Sequence, residues 1–134
     1  MHKHSWLEPP VQPVPGPVPE TAGPEPIDRV HLFRMTLGDR HLQDEVLDLF
    51  DQQIALLVAR MDMAPPAAAA TLAHTLKGSA RGIGAWGVVE AAEAIEMAVA
   101  IGTNLAGPIA AMAAAGAEAS RAIALMRQSP DAAE

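Results

Sequence analysis

From Arg40 to Met61 the apolar residues Leu42, Val46, Leu49, Phe50, Ile54, Leu57, Val58 and Met61 recur at steps of three and four. That spacing draws one apolar stripe along an α-helix, whereas a strand, with its two-residue period, would scatter it over both faces. A single helix cannot bury such a stripe, so the chain must supply partners. Pro65-Pro66 can open a second long helix running to Ile83, since proline is tolerated at the first helical position. Gly82 to Gly84 marks a turn, after which Ala85 to Ile101 carries Val88, Ala92, Ile95 and Val99 on one side. Gly102 to Pro108 reads as a further turn, and Pro108 to Gln128 as a helix offering Ile109, Met112, Ala119, Ile123 and Met126 to a core. Ile27 to Leu37 suits a short helix, with Asp28 near its start and Gly38-Asp39 beyond its end. The expected fold is all-α, an antiparallel up-down four-helix bundle with a short additional N-terminal helix over residues 27–128.

Composition agrees. The hydrophobic half of the chain holds only two Phe, two Trp and no Tyr, while strand-rich domains lean on aromatic and β-branched residues. With 134 residues, one domain with tails is expected. A net charge of −7 and the absence of any basic run argue against a nucleic-acid partner, because duplex binding needs cations to displace counterions. There is no cysteine, which excludes disulfides, thiolate metal sites and Cys nucleophiles. The N-terminus lacks the continuous apolar stretch of a signal peptide, and the Ala-rich region from Ala91 to Ala119 is interrupted by Glu93, Glu96, Asn104, Pro108 and Glu118. A cytoplasmic chain without membrane insertion is therefore expected.

Residues 1–26 form a proline-rich stretch in which Pro alternates with Val, Gly and Glu, and such a composition supports neither helix nor ladder. A flexible or extended tail is expected there, as a spacer rather than a docking ligand, and a disordered tail is expected over 129–134. His2 and His4 receive no role, and neither do His31 and His41, which lack partners at metal-ligand spacing. No metal site is expected.

The helix from Pro66 to Ile83 carries the chemistry. At 100° per residue Ala69, Leu72, Leu76, Ser79, Ala80 and Ile83 gather on one side, centred opposite His74, which then faces out. On the outward stripe with it lie Ala70 one turn before, Lys77 and Gly78 one turn after and Arg81 two turns after, with Thr71 and Thr75 nearby. Glycine in a helix interior costs about 1 kcal/mol relative to alanine, so Gly78 at an exposed site asks for a reason other than helix stability. Removing side-chain bulk beside the ring supplies one. An unprotonated imidazole nitrogen is a nucleophile toward a phosphoryl group, and that transfer depends on in-line positioning and on cations that offset the phosphoryl oxygens.

At these residues a resemblance becomes specific. His74-Thr-Leu-Lys-Gly-Ser-Ala-Arg-Gly-Ile-Gly84 resembles the histidine-containing phosphotransfer (HPt) family pattern, H-x-L-K-G-S followed by an apolar-Gly pair. The likeness continues through Glu93 to Glu96, includes the Leu47-Asp-Leu-Phe50 segment of the preceding helix, and spans Ile27 to Arg127. The resemblance implies that His74 accepts the phosphoryl group, that Lys77 stabilises its charge and that Gly78 gives clearance for a partner. It also implies that Phe50 packs near the histidine and that Ile83-Gly84 turns the chain into the next helix, while the outward stripe itself places Ala70, Thr71 and Arg81 beside Gly78 as the expected docking face. The implied role is a carrier between receiver-domain aspartates of hybrid kinases or response regulators, with Mg²⁺ brought by the receiver. No nucleotide-binding loop accompanies the motif, so kinase activity toward ATP is not expected, and the bundle is expected to act as a monomer. The rival readings are an interaction module in which His74 is incidental, and a hydrolase using His74 as general base, which would need a nucleophile or carboxylate within hydrogen-bond reach, where the outward stripe offers only Thr71 and Thr75.

Overall fold

The computed structural model describes residues 25–128. The expected tails lie outside the described residues, save for Glu25 and Pro26. Five helices follow in order: α1 (Arg29–Met35), α2 (Arg40–Met63), α3 (Pro66–Ile83), α4 (Trp86–Ile101) and α5 (Ala106–Gln128). No strand occurs among the described residues.

Each boundary has a local cause. Asp28 caps α1 by accepting from the His31 N–H, and Asp39 caps α2 by accepting from the Leu42 N–H at 3.1 Å. Pro66 occupies the first turn of α3, where its missing N–H costs nothing. The expected turn begins later than the sequence suggests: α3 runs through Gly82, and Gly84 alone ends it, in the left-handed conformation at φ +83°. Gly102, at φ +79°, ends α4 in the same way. Helix α5 starts two residues before Pro108, after Asn104 Oδ1 accepts from the Ala106 N–H.

α2, α3, α4 and α5 form a closed ring in which each packs against two neighbours, and α1 lies on α3. Side-chain pairs give the directions. Along α2 and α5, Asp48 meets Arg127, Asp51 meets Ser120 and Ile54 meets Gly116, so the two helices run oppositely. Along α3 and α4, Lys77 meets Glu96 and Arg81 meets Glu93, again oppositely. The core is built from Leu47, Phe50, Ile54, Leu57 and Met61 of α2, Leu76 and Ile83 of α3, Val88 and Ile95 of α4, and Met112 and Ile123 of α5.

Two helix faces differ from expectation. On α3 the buried line is Ala69, Ala73, Leu76, Ala80 and Ile83, while Leu72 and Ser79 are only half-buried. Ala73 is fully buried, and His74 next to it stays exposed while reaching Glu96 on α4. On α2 Leu47 is buried, whereas Leu42 and Leu49 remain exposed on the side toward α1 and α3.

One helix passes the length and composition test that bears on the membrane expectation. Ala106–Arg127 is long and apolar enough to cross a bilayer by length and composition, with a mean hydropathy of 1.3. That measure reflects its many alanines. In the fold it buries Met112, Ala119 and Ile123 against the bundle and exposes Glu118 and Arg121 on its outer face, so one helix of this kind carries little weight for a membrane role.

Candidate functional site

His74 stands on the third turn of α3 with its side chain 72% exposed. Its Nδ1 lies 2.9 Å from Glu96 Oε2 on α4, and the other oxygen of that carboxylate accepts from Lys77 Nζ at 2.6 Å. One carboxylate therefore bridges the imidazole and the ammonium. Lys77 lies one turn beyond His74, as the outward stripe requires, but its side chain is only 12% exposed because the pairing draws it against α4.

Glu96 is held below the ordinary carboxylate range, first by the hydrogen bond from Lys77 and then by the one from His74, against the opposing effect of its partial burial. It is a carboxylate at neutral pH and can only accept hydrogen bonds. The bond at Nδ1 therefore needs the proton on the imidazole, which fixes the tautomer of a neutral ring as Nδ1–H and leaves the lone pair on Nε2. The ring is oriented at the same time, since a carboxylate on the neighbouring helix ties one edge and the other is left facing solvent.

The remaining residues fall into different surroundings. Gly78 is exposed, and a Cβ built there would meet no atom within 4 Å. Ala70 is half-buried, and Thr71 is exposed with its hydroxyl donating to Ala67 O one turn back. Arg81 does not join the His74 cluster. Its guanidinium donates to Glu93 at 3.3 Å, and its backbone oxygen lies 2.8 Å from His31 Nε2. Phe50 is 2% exposed and belongs to the core, with its edge toward the cleft beside Gly78 and Ser79. Gly84 is buried against Asp28, whose N–H donates to the Gly84 oxygen at 2.9 Å.

Two features go beyond the sequence reading. Glu96 was legible only as part of the family likeness, with no role. A signal existed in the spacing: outward from the Gly84 turn the cations Arg81 and Lys77 and the acids Glu93 and Glu96 follow each other at one-turn steps, as antiparallel helices need for pairing. His31, expected as a partly exposed packing or surface residue, packs its ring 5.0 Å from that of Trp86, and its Nε2 bonds the Arg81 carbonyl. The Trp86 indole N–H donates to Asp28 at 2.9 Å and, with the N–H of His31, lowers the Asp28 pKa. This cluster fastens α1 over the α3–α4 turn.

Among the described residues no group of three or more acidic or histidine side chains could hold a metal ion. Around His74 a single carboxylate is shared between an N–H and an ammonium. No curated protein and no solved structure gives a significant match to the sequence. The family model of the Hpt domain matches residues 39–129, most of the chain and all four helices of the ring, with α1 outside it. With an exposed histidine in the H-x-L-K-G-S segment of a helical bundle, this chain belongs to the Hpt domain family, whose members perform histidine phosphotransfer in phosphorelays.

Proposed function

We propose that this chain is a phosphocarrier whose His74 Nε2 takes a phosphoryl group from an aspartate of one receiver domain and returns it to an aspartate of another. The observation that carries the reading is the Glu96 contact at Nδ1, which leaves Nε2 as the free, solvent-facing nucleophile. In the forward step the Nε2 lone pair forms the N–P bond, the P–O bond of the aspartyl phosphate breaks, and the aspartate leaves as carboxylate. The proton on Nδ1 stays in place, so the phosphorylated ring becomes an imidazolium with one positive charge, which the Glu96 carboxylate at Nδ1 offsets. Return of the group reverses these events.

Lys77 supplies positive charge one helical turn from the His74 ring. Its ammonium has three donors, and its contact with Glu96 uses one of them, so others can turn to the phosphoryl oxygens. Gly78, Ala70 and Thr71 form the low ground on which a partner's active site closes, with Arg81 at the rim. In this reading the partner brings Mg²⁺, and the exchange takes place in the cytoplasm with the chain as a monomer.

The test is transfer of radiolabel from a phosphorylated receiver or hybrid kinase to wild type and to His74→Gln. Label on wild type alone, lost in acid and kept in base as a phosphoramidate requires, is the expected result. Failure of several receivers from the same source to label it would leave an interaction module that uses the His74 face for binding.

A further inference from the structure

Helix α1 buries one side only. Leu32 and Thr36 are buried in the bundle, while Val30, Phe33 and Leu37 gather on the outer side and are 66%, 61% and 90% exposed. Arg29 and Arg34 flank them, and neither has an ion-pair partner among the described residues. Leu37 holds φ +56°, a left-handed conformation that a leucine side chain disfavours and that asparagine adopts more readily. An exposed leucine in that conformation, beside unpaired arginines, adds nothing to the stability of the bundle, so the face asks for a contact outside it.

The face is firmly held. Asp28 donates its N–H to Gly84 O and accepts from the Trp86 indole, and His31 Nε2 lies 2.8 Å from Arg81 O. Trp86 also begins a second exposed stripe. On α4 Trp86, Glu90, Met97 and Ile101 follow one another at helical spacing on the solvent side, bordered by Glu93. Glu90 has no ion-pair partner among the described residues. The rings of His31 and Trp86, 5.0 Å apart, join the two faces. One half of the combined surface is apolar with cations, and the other is apolar with acids.

Adjoining faces of opposite charge complement a second copy of themselves about a twofold axis: α1 of one protomer meets α4 of the other, and the reverse contact forms at the same time. Other occupants satisfy less of the surface. A net charge of −7 repels an anionic membrane and nucleic acid, although two arginines beside apolar groups would otherwise suit a lipid surface. An acidic segment of a different protein would cover α1 and leave the Trp86–Ile101 stripe open.

We infer that two copies of this chain pair through the outer faces of α1 and α4, with Arg29 and Arg34 of one protomer toward Glu90 and Glu93 of its partner and the apolar side chains between them. The residues involved fall short of the roughly 20–30 a side of a standard interface, so the pair is transient, with a dissociation constant on the order of 100 μM. Glu93 also holds Arg81 at the rim of the His74 face. A consequence that rests on the phosphotransfer reading is that a receiver and a second copy compete for this rim, and exchange runs on the monomer.

Sedimentation equilibrium of the full-length protein at low salt should show the weight-average mass rising from 14.0 kDa toward twice that value as the concentration passes from about 10 μM to about 1 mM. A mass that stays at one chain would overturn the inference. Charge swaps identify the face: Arg29→Glu with Arg34→Glu should weaken association roughly tenfold, Glu90→Arg likewise, and an equimolar mixture of the two proteins should associate again, because each mixed pair restores opposite charges at both contacts. Leu37→Asn should also weaken association while its urea midpoint stays at or above that of wild type, which separates pairing from folding. Swapped variants that associate as tightly as wild type, or a mixture that fails to recover, would count against this face. Binding to phosphatidylserine vesicles without self-association would overturn the inference in favour of a membrane contact. Phosphoryl acceptance per chain should slow several-fold over the same concentration range in wild type and not in the Arg29→Glu, Arg34→Glu protein. No transfer to either protein, with association intact, would sink the carrier reading and leave the pairing standing.

Discussion

A single carboxylate decides what His74 can do. With Glu96 accepting at Nδ1 the imidazole presents Nε2, and a glutamine in its place would keep the shape but offer both a donor and an acceptor, releasing the tautomer. Glu96→Gln is expected to leave the fold intact and slow phosphoryl acceptance about tenfold, the low end of what loss of an orienting partner costs a functional histidine. Ring ¹⁵N shifts supply the readout that a structural role would not move: one tautomer in the wild type, a mixture in the variant. An unchanged tautomer would show that Glu96 does not set it. The same residue carries a pH signature. Its pKa is depressed in the folded state, so its contribution to stability is present above the unfolded value of about 4.5 and is lost as pH falls through the lower folded value. Between pH 7 and pH 3 the urea midpoint of the wild type should therefore fall further than that of Glu96→Gln. Parallel curves would mean that the Lys77–Glu96–His74 bridge adds nothing to stability.

Helix α3 holds two glycines whose jobs are opposite in kind. Gly78 has ordinary helical geometry and open space around it, so Gly78→Ala should stabilise the protein by about 1 kcal/mol. If a partner closes over His74, the same change should slow transfer, and a variant both more stable and equally active would remove the clearance role. Gly84 ends the helix at φ +83°, and a Cβ there would lie 2.7 Å from Asp28 Cβ. Gly84→Ala should lower stability by at least about 1–2 kcal/mol, the cost of the left-handed conformation alone, with the contact adding to it. Denaturant melts of the two variants should thus move in opposite directions. The pattern H-x-L-K-G-S followed by an apolar-Gly pair contains both residues, but the sequence alone does not say that one glycine answers to a partner and the other to Asp28. Legible at this scale were the helices and most of their ends. The rotation of α3 was not, because Ala73 and Ala70 are alike in a hydropathy pattern, and only the packing of the bundle buries Ala73 fully and leaves Ala70 half-buried.

The whole molecule depends on small residues where helices meet. A Cβ on Gly116 of α5 would come within 2.7 Å of Ile54 Cγ2 on α2. Gly116→Ala gains roughly 1 kcal/mol in helix propensity, but overpacking a filled core costs about 1–3 kcal/mol. A net loss in the urea midpoint is expected, and a gain would show that the α2–α5 contact is looser than drawn. At the same scale α1 stands outside the family match, fastened over the α3–α4 turn by Asp28, His31 and Trp86 and forming one wall of the cleft. The sequence by itself determined the helical class, the order and approximate limits of the five helices, and the H-x-L-K-G-S segment of the third helix that the family likeness rests on. These follow from periodicity, from Gly and Pro punctuation and from a nearly contiguous motif, all properties of neighbours along the chain. Only the tertiary structure decided which carboxylate meets His74, that Arg81 belongs to Glu93, that His31 is a fastening, and that Leu42 and Leu49 line an open cleft. Each of these depends on the rotation and separation of helices far apart in sequence, which packing volumes set and local spacing does not.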